Sequence, residues 1–209
     1  MTLTVHERYA IAMKHAKKFV STLASRPILQ GVFHAPDGSL AMTDSHRLLR
    51  VENAHDRAEP IVLNAKTNAP IDGVYPDISR VIPTNFRAEY TLSGNVDEEL
   101  AKWITAHEVA VKIGDKKQPV AVFSLTSAGL SLEAANSGGK YRFDPNVAAT
   151  GCLDEFTVHY NAKYVLDALL AIRDFKPRSV SVKFAGNVSP FVFETDNGVL
   201  ALILPIRTV

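Results

Sequence analysis

Thr43-Asp44-Ser45-His46-Arg47-Leu48 lies between two stretches that read as strands, 40–43 before it and 47–51 after it. Asp44 and Ser45 are turn formers, because a short oxygen-bearing side chain can bond to the backbone two residues on. Upstream, Pro36-Asp37-Gly38 marks another turn, so 28–34 is expected to be the strand that precedes 40–43. Before this meander, residues 6 to about 20 place Tyr9, Met13, Ala16 and Val20 on one helical face, with Lys14, Lys17 and Lys18 opposite. Arg26-Pro27 ends that helix. A helix followed by three antiparallel strands is therefore the unit to look for elsewhere.

It recurs. Residues 88–92 alternate as a strand, and Asp97, Glu98 and Glu99 open a helix to about Ile113, where acidic groups suit the dipole. Leu100, Trp103, Ile104, His107 and Val111 form its apolar stripe. Segments 120–125, 130–134 and 140–143 read as strands. After a strand at 156–160, Asn161 caps a helix to about Asp174, with Val165, Leu166, Leu169 and Ile172 inward. Pro177 stops it, and 180–184, 191–194 and 199–204 complete the meander around Asp196-Asn197-Gly198. The spacing of roughly 60–75 residues points to an architectural duplication. The expected class is α+β with antiparallel sheets, in about three helix-plus-sheet units. Residues 60–63 add a further expected strand, and the proline-bounded segment 75–83 reads as a linker dividing a domain 1–83 from a domain 84–209.

Composition narrows the function. Lys and Arg (23) nearly cancel Asp and Glu (22), so a surface that grips nucleic acid all over is excluded, but a local, loose one is not. Cys152 is the only cysteine, which excludes an intramolecular disulfide and an all-cysteine zinc site. No apolar run reaches the ~18 residues of a membrane span, and the first residues do not read as a signal peptide, so a soluble cytoplasmic protein is expected. The seven histidines show neither H-x-H nor H-x-x-x-H spacing, and phosphate-loop and nucleophile-elbow motifs are absent. Asp44-Ser45-His46 contains the residue types of a hydrolytic triad. Neighbours on an extended chain point to opposite faces, however, so a turn held by Asp44 is the better account. No catalytic residue, metal ligand or cofactor is assigned, and Cys152 reads as a free thiol with no histidine tied to it.

Five strings, in order, carry a resemblance. They are Ser25-Arg26-Pro27-Ile28-Leu29-Gln30-Gly31-Val32, the 43–48 string, Tyr75-Pro76-Asp77-Ile78-Ser79-Arg80-Val81-Ile82-Pro83, Asn161-Ala162-Lys163-Tyr164-Val165-Leu166-Asp167 and Leu204-Pro205-Ile206-Arg207. Together they resemble the bacterial DNA polymerase III beta subunits, the DNA sliding clamps, with Ser45 where the family has Gly and Ile206 where it has Met.

The resemblance implies the clamp (processivity) fold, helices lining a hole and sheets outside. It implies a non-enzymatic processivity factor without cofactor, which encircles double-stranded DNA as a homo-oligomeric ring and tethers DNA polymerase and clamp loader through short hydrophobic peptides. Family rings contain twelve units. This chain resembles three, with one missing between 64 and 71, so four subunits would close a ring. The implied partner-peptide cleft comprises Leu29, Thr43, His46, Arg47, Leu48, Pro76, Arg80, Val81, Leu204, Pro205, Ile206 and Arg207, with the three arginines clustered. The implied DNA-facing cations are Lys14, Lys17, Lys18, Lys102, Lys163 and Arg173. A clamp-like decoy that binds polymerase or loader without encircling DNA, and an unrelated α+β enzyme, are the alternatives. Cellular and phage or mobile-element origins both stay open.

Overall fold

Thr4 opens the first helix, α1 (Val5–Phe19), by a reciprocal cap: its hydroxyl accepts the Glu7 N–H, and the Glu7 carboxylate accepts the Thr4 N–H. The structure is a computed structural model that describes residues 3–150 and 155–207. The buried face of α1 is Arg8, Ala12, His15, Ala16 and Phe19. Tyr9 and Met13, expected at its centre, are only partly buried beside it. Ala12 and Ala16 are fully buried on that face, and the bulkier Tyr9 and Met13 lie at its flanks.

Residues 28–30, expected to begin a strand, belong to a 3-10 turn (Pro27–Gln30), and the strand β1 starts at Gly31 (Gly31–His34). A Cβ at Gly31 would lie 2.3 Å from Val62 Cγ1, so only glycine lets the neighbouring strand pack there. The strands β2 (Leu40–Thr43), β3 (Arg47–Val51) and β4 (Ile61–Asn64) join it antiparallel in the order β4-β1-β2-β3. Beyond β4 the chain turns straight back. The Asn64 side chain accepts the N–H groups of Lys66 and Thr67, and Leu63 bridges Pro70. The linker then makes one 3-10 turn, Ile78–Arg80, capped by Asp77.

The rest of the chain is two interlocked units: β5 (Ala88–Leu92), α2 (Val96–Ile113), β6 (Val120–Thr126), β7 (Gly129–Asn136) and β8 (Gly139–Phe143), then β9 (Val147–Ala149), β10 (Phe156–Asn161), α3 (Ala162–Asp174), β11 (Val180–Phe184), β12 (Phe191–Thr195) and β13 (Val199–Ile203). Strand β9 is absent from the sequence expectation. Each strand ahead of a helix pairs into the other unit's sheet, β5 with β11 and β10 with β6. Two sheets result, ordered β4-β1-β2-β3-β13-β12-β11-β5-β9 and β10-β6-β7-β8. The α+β class with antiparallel sheets and one helix per unit is as expected.

The β3–β13 pairing, Leu48 opposite Leu202 and Arg47 opposite Ile203, carries one sheet across the linker and sets the 43–48 turn beside residue 204. On one face of that sheet lies the main core, with Trp103, Phe123, Tyr160, Phe191 and Phe193 in mutual ring contact. A second apolar cluster joins Leu29, Leu48, Val62 and Leu202 to Tyr75, Ile78 and Ile82 of the linker, to Phe86 after it and to Leu204.

Candidate partner-binding site

The 43–48 turn is closed by its own side chains. Asp44 Oδ1 accepts the N–H groups of His46 (2.9 Å) and Arg47 (3.1 Å), and the Thr43 hydroxyl donates to the Arg47 carbonyl (2.6 Å). This is the aspartate-held turn read from the sequence, and it leaves no hydrolytic relay. Ser45 adopts φ +79°, the left-handed region that favours glycine. Its hydroxyl accepts from Arg26 Nη1 at 2.6 Å, which offsets part of the strain of a Cβ there.

Arg47 departs from the expectation of a cleft-lining cation, being only 9% exposed. Its Nε donates to Asp44 (3.0 Å), Nη1 to Asp167 (2.8 Å) and Nη2 to the Lys18 carbonyl. Its guanidinium lies between the rings of Phe19 (5.2 Å) and Tyr164 (4.3 Å). Each of its three nitrogens has a partner inside the protein, so Arg47 braces the site from beneath.

Asp167, 2% exposed, also takes the ammonium groups of Lys163 (2.6 Å) and Lys18 (3.1 Å). Burial works against its ionisation, but the hydrogen bonds from Lys163 and Arg47 outweigh it and hold the carboxyl below its ordinary value.

Tyr164 also faces His46, ring centres 6.2 Å apart. Between them opens a pocket of about 400 Å³, lined by His46, Lys117, Gln118, Asn161, Tyr164, Leu204, Pro205 and Ile206. Backbone bonds fix its C-terminal wall: Leu204 N–H donates to the His46 carbonyl (2.9 Å) and Ile206 N–H to the His159 carbonyl (2.7 Å). Leu204 belongs both to this pocket and to the second apolar cluster, which also holds Leu29 and Leu48.

Of the expected cleft residues, His46, Leu204, Pro205 and Ile206 therefore line one pocket, and Leu29 and Leu48 lie in the adjoining cluster. Thr43 is half-buried and fastens the turn. Pro76, Arg80, Val81 and Arg207 are exposed. Arg80 pairs with Asp77, and among the described residues the three arginines share no carboxylate. Asn161, Tyr164, Lys117 and Gln118 are lining residues the sequence reading did not assign. Asn161 and Tyr164 stand within a string that carried the resemblance, and that was the available signal.

Five of the six cations expected to face DNA are paired to carboxylates. Lys14 and Arg173 meet Asp174 (2.8 and 3.9 Å), Lys18 and Lys163 meet Asp167, and Lys102 meets Glu99 (2.6 Å). Lys17 is exposed and forms no ion pair among the described residues. Cys152 lies outside the described residues. Among those described, no three His, Cys, Asp or Glu side chains are grouped to hold a metal, and no helix is long and apolar enough to cross a membrane.

No family model matches the chain. Curated relatives do. The beta sliding clamp of Staphylococcus aureus is 29% identical over 147 residues, 66% of this chain and 35% of that protein. That of Staphylococcus epidermidis is 25% identical over 236 residues, covering 90% of this chain and 59% of that protein. Among solved structures, the Bacillus subtilis DNA polymerase sliding clamp aligns with a TM-score of 0.80 at 23% identity over 97% of this chain and 62% of that one. The beta subunit of Streptococcus pyogenes DNA polymerase also scores 0.80, at 22% identity over 100% and 66%. The chain thus spans between about a third and three fifths of the length of these curated relatives. In sequence it is similar to bacterial beta sliding clamps over part of their length, and its fold is that of the bacterial DNA polymerase sliding clamps.

Proposed function

We propose that the chain is a sliding clamp-like processivity factor, a non-enzymatic ring component that moves on duplex DNA and tethers a polymerase by a short peptide. The observation that carries this is the pocket between His46, Tyr164 and Ile206, which shares Leu204 with an apolar cluster beneath the same flank. A pocket with Leu204, Pro205 and Ile206 on one wall and His46, Lys117, Gln118 and Asn161 around it suits an extended segment with a Leu or Phe anchor and polar groups beside it. Clamp loaders carrying such peptides would dock in the same place.

The paired lysines fit a ring. A ring is kept on DNA by topology, so its lining needs only a weak attraction to phosphate that permits sliding. One feature supports a missing unit after β4: the chain doubles back within 64–70, where Leu63 bridges Pro70. On this reading a division near 83 separates a one-unit domain from a two-unit domain, and four copies supply the twelve units of a ring.

The test is titration of a fluorescent peptide carrying Leu and Phe anchors. Saturable binding that Tyr164→Ala weakens at least about tenfold, with folding unchanged, is expected; each such step corresponds to about 1.4 kcal/mol. Equal binding to wild type and Tyr164→Ala would reject the pocket.

A further inference from the structure

A second pocket, of about 540 Å³, opens at the N-terminal end of α1, whereas Arg47 of the partner site touches the C-terminal end at Lys18 and Phe19. Val5 and Arg8 of α1, Glu52 after β3, Phe175 and Lys176 after α3, and the 196–198 turn line it. Arg8 is 6% exposed. Its Nε donates to the Glu52 carbonyl (2.9 Å) and its guanidinium lies over the Phe175 ring (5.5 Å), but the buried Nη2 has no hydrogen-bond partner. A charged N–H left unmatched in the interior is costly, and few native groups are left so.

The other charges around it are unequal. Asp196 accepts the Arg178 backbone N–H (2.9 Å), the Ser179 N–H (3.1 Å) and Arg178 Nε (3.0 Å). Glu52 is held by Arg50 at 3.4 Å. Lys176 sits at φ +51°, exposed, and makes no ion pair among the described residues. The two carboxylates are thus engaged, while Lys176 at the rim forms no ion pair among the described residues and the buried Arg8 keeps one nitrogen, Nη2, without a hydrogen bond. We propose that this pocket binds the carboxylate of a ligand with an aromatic or aliphatic body: the carboxylate pairs with Lys176 at the rim and, as the closed-off guanidinium edge turns toward the pocket, with Arg8 Nη2, and the body lies against Phe175 and Val5. A phosphate dianion fits less well, because Glu52 and Asp196 flank the cations and repel a second negative charge. A planar, singly charged carboxylate matches one guanidinium N–H and one ammonium.

The carboxylate has two sources, a free organic acid or the C-terminus of a peptide, and both lie beyond the clamp reading. The experiment is an NMR titration of the full ¹⁵N-labelled chain with phenylacetate, with a short peptide ending in Phe as acid or amide, and with inorganic phosphate. Saturable shifts at the Arg8 side-chain N–H and at the Lys176 and Asn197 amides are expected from phenylacetate, the acid peptide or both. Whichever binds tighter identifies the source. Amide peptide and phosphate should leave the signals in place, and Arg8→Met and Lys176→Ala should each weaken binding about tenfold or more. Lys176→Ala, at an exposed rim, keeps the test valid if Arg8→Met does not fold. Absence of saturable shifts with both carboxylates, unchanged affinity in the variants, or tighter binding of phosphate would overturn the proposal.

Discussion

Asp167→Asn keeps the shape of a side chain on which Arg47, Lys163 and Lys18 converge and removes its charge. The two lysines are about half exposed, so each of those pairs contributes little, roughly 0–1 kcal/mol. Arg47 is the large term. Its guanidinium is buried, and removing one partner of a buried pair costs roughly 3–5 kcal/mol. Asp44, the Lys18 carbonyl and two aromatic rings still hold it, which favours the lower end, about 3 kcal/mol. For a chain of this size that corresponds to a melting temperature lower by about 6–12 °C.

Urea denaturation at pH 7 with an unchanged m-value is the assay. Because the Asp167 carboxyl sits below its ordinary value, its contribution is complete above the unfolded-state pKa and is lost as pH falls through the folded one. The gap between wild type and variant should therefore close in acid. The double change Arg47→Met with Asp167→Leu should recover most of the loss. A cost under about 1 kcal/mol at pH 7 would refute the assignment of Arg47 as a buried brace.

Two buried histidines make the fold acid-sensitive. Burial lowers the pKa of both His34 and His107 to about 4, so each contributes fully above the unfolded-state value of 6.5 and loses that contribution as pH falls toward 4. At pH 5 the loss is about 2 kcal/mol per histidine, and a melting temperature that stays level from pH 7 to 5 would contradict it. Ser45→Ala keeps the left-handed strain and discards the Arg26 bond, so it should cost about 1 kcal/mol, while Ser45→Gly should cost less; chemical denaturation orders the two. If α1 faces DNA, Lys17→Ala should lower the slope of log affinity against log salt by about 0.9, and Lys14→Ala should lower it less, because Asp174 already balances Lys14. Salt titrations of DNA binding read both.

Periodic features were legible in the sequence. Of the expected stripe, Leu100, Trp103, Ile104 and His107 are buried as the 3.6-residue spacing requires and Val111 only partly, and turn chemistry placed Asp44 and the 196–198 hairpin. The α1 face was read one residue off because Arg8 and His15 are buried, and polar residue types carry no signal of burial when their partners are distant in sequence. His15, for example, meets Asp174, 159 positions away. The burial of Arg47 was illegible for the same reason, since Asp167 lies 120 residues on and only the fold brings it near. Ile78 and Ile82 went unassigned because a proline-bounded linker gives no period from which to pick its inward side.

Solution mass, measured with and without nicked circular DNA, bears most directly on the central claim. A closed ring requires a stable oligomer, expected near four times the 22.8 kDa of one chain, that co-elutes with circles and is released when they are linearised. A monomer of 22.8 kDa whose retention is the same on circular and linear DNA would contradict the account.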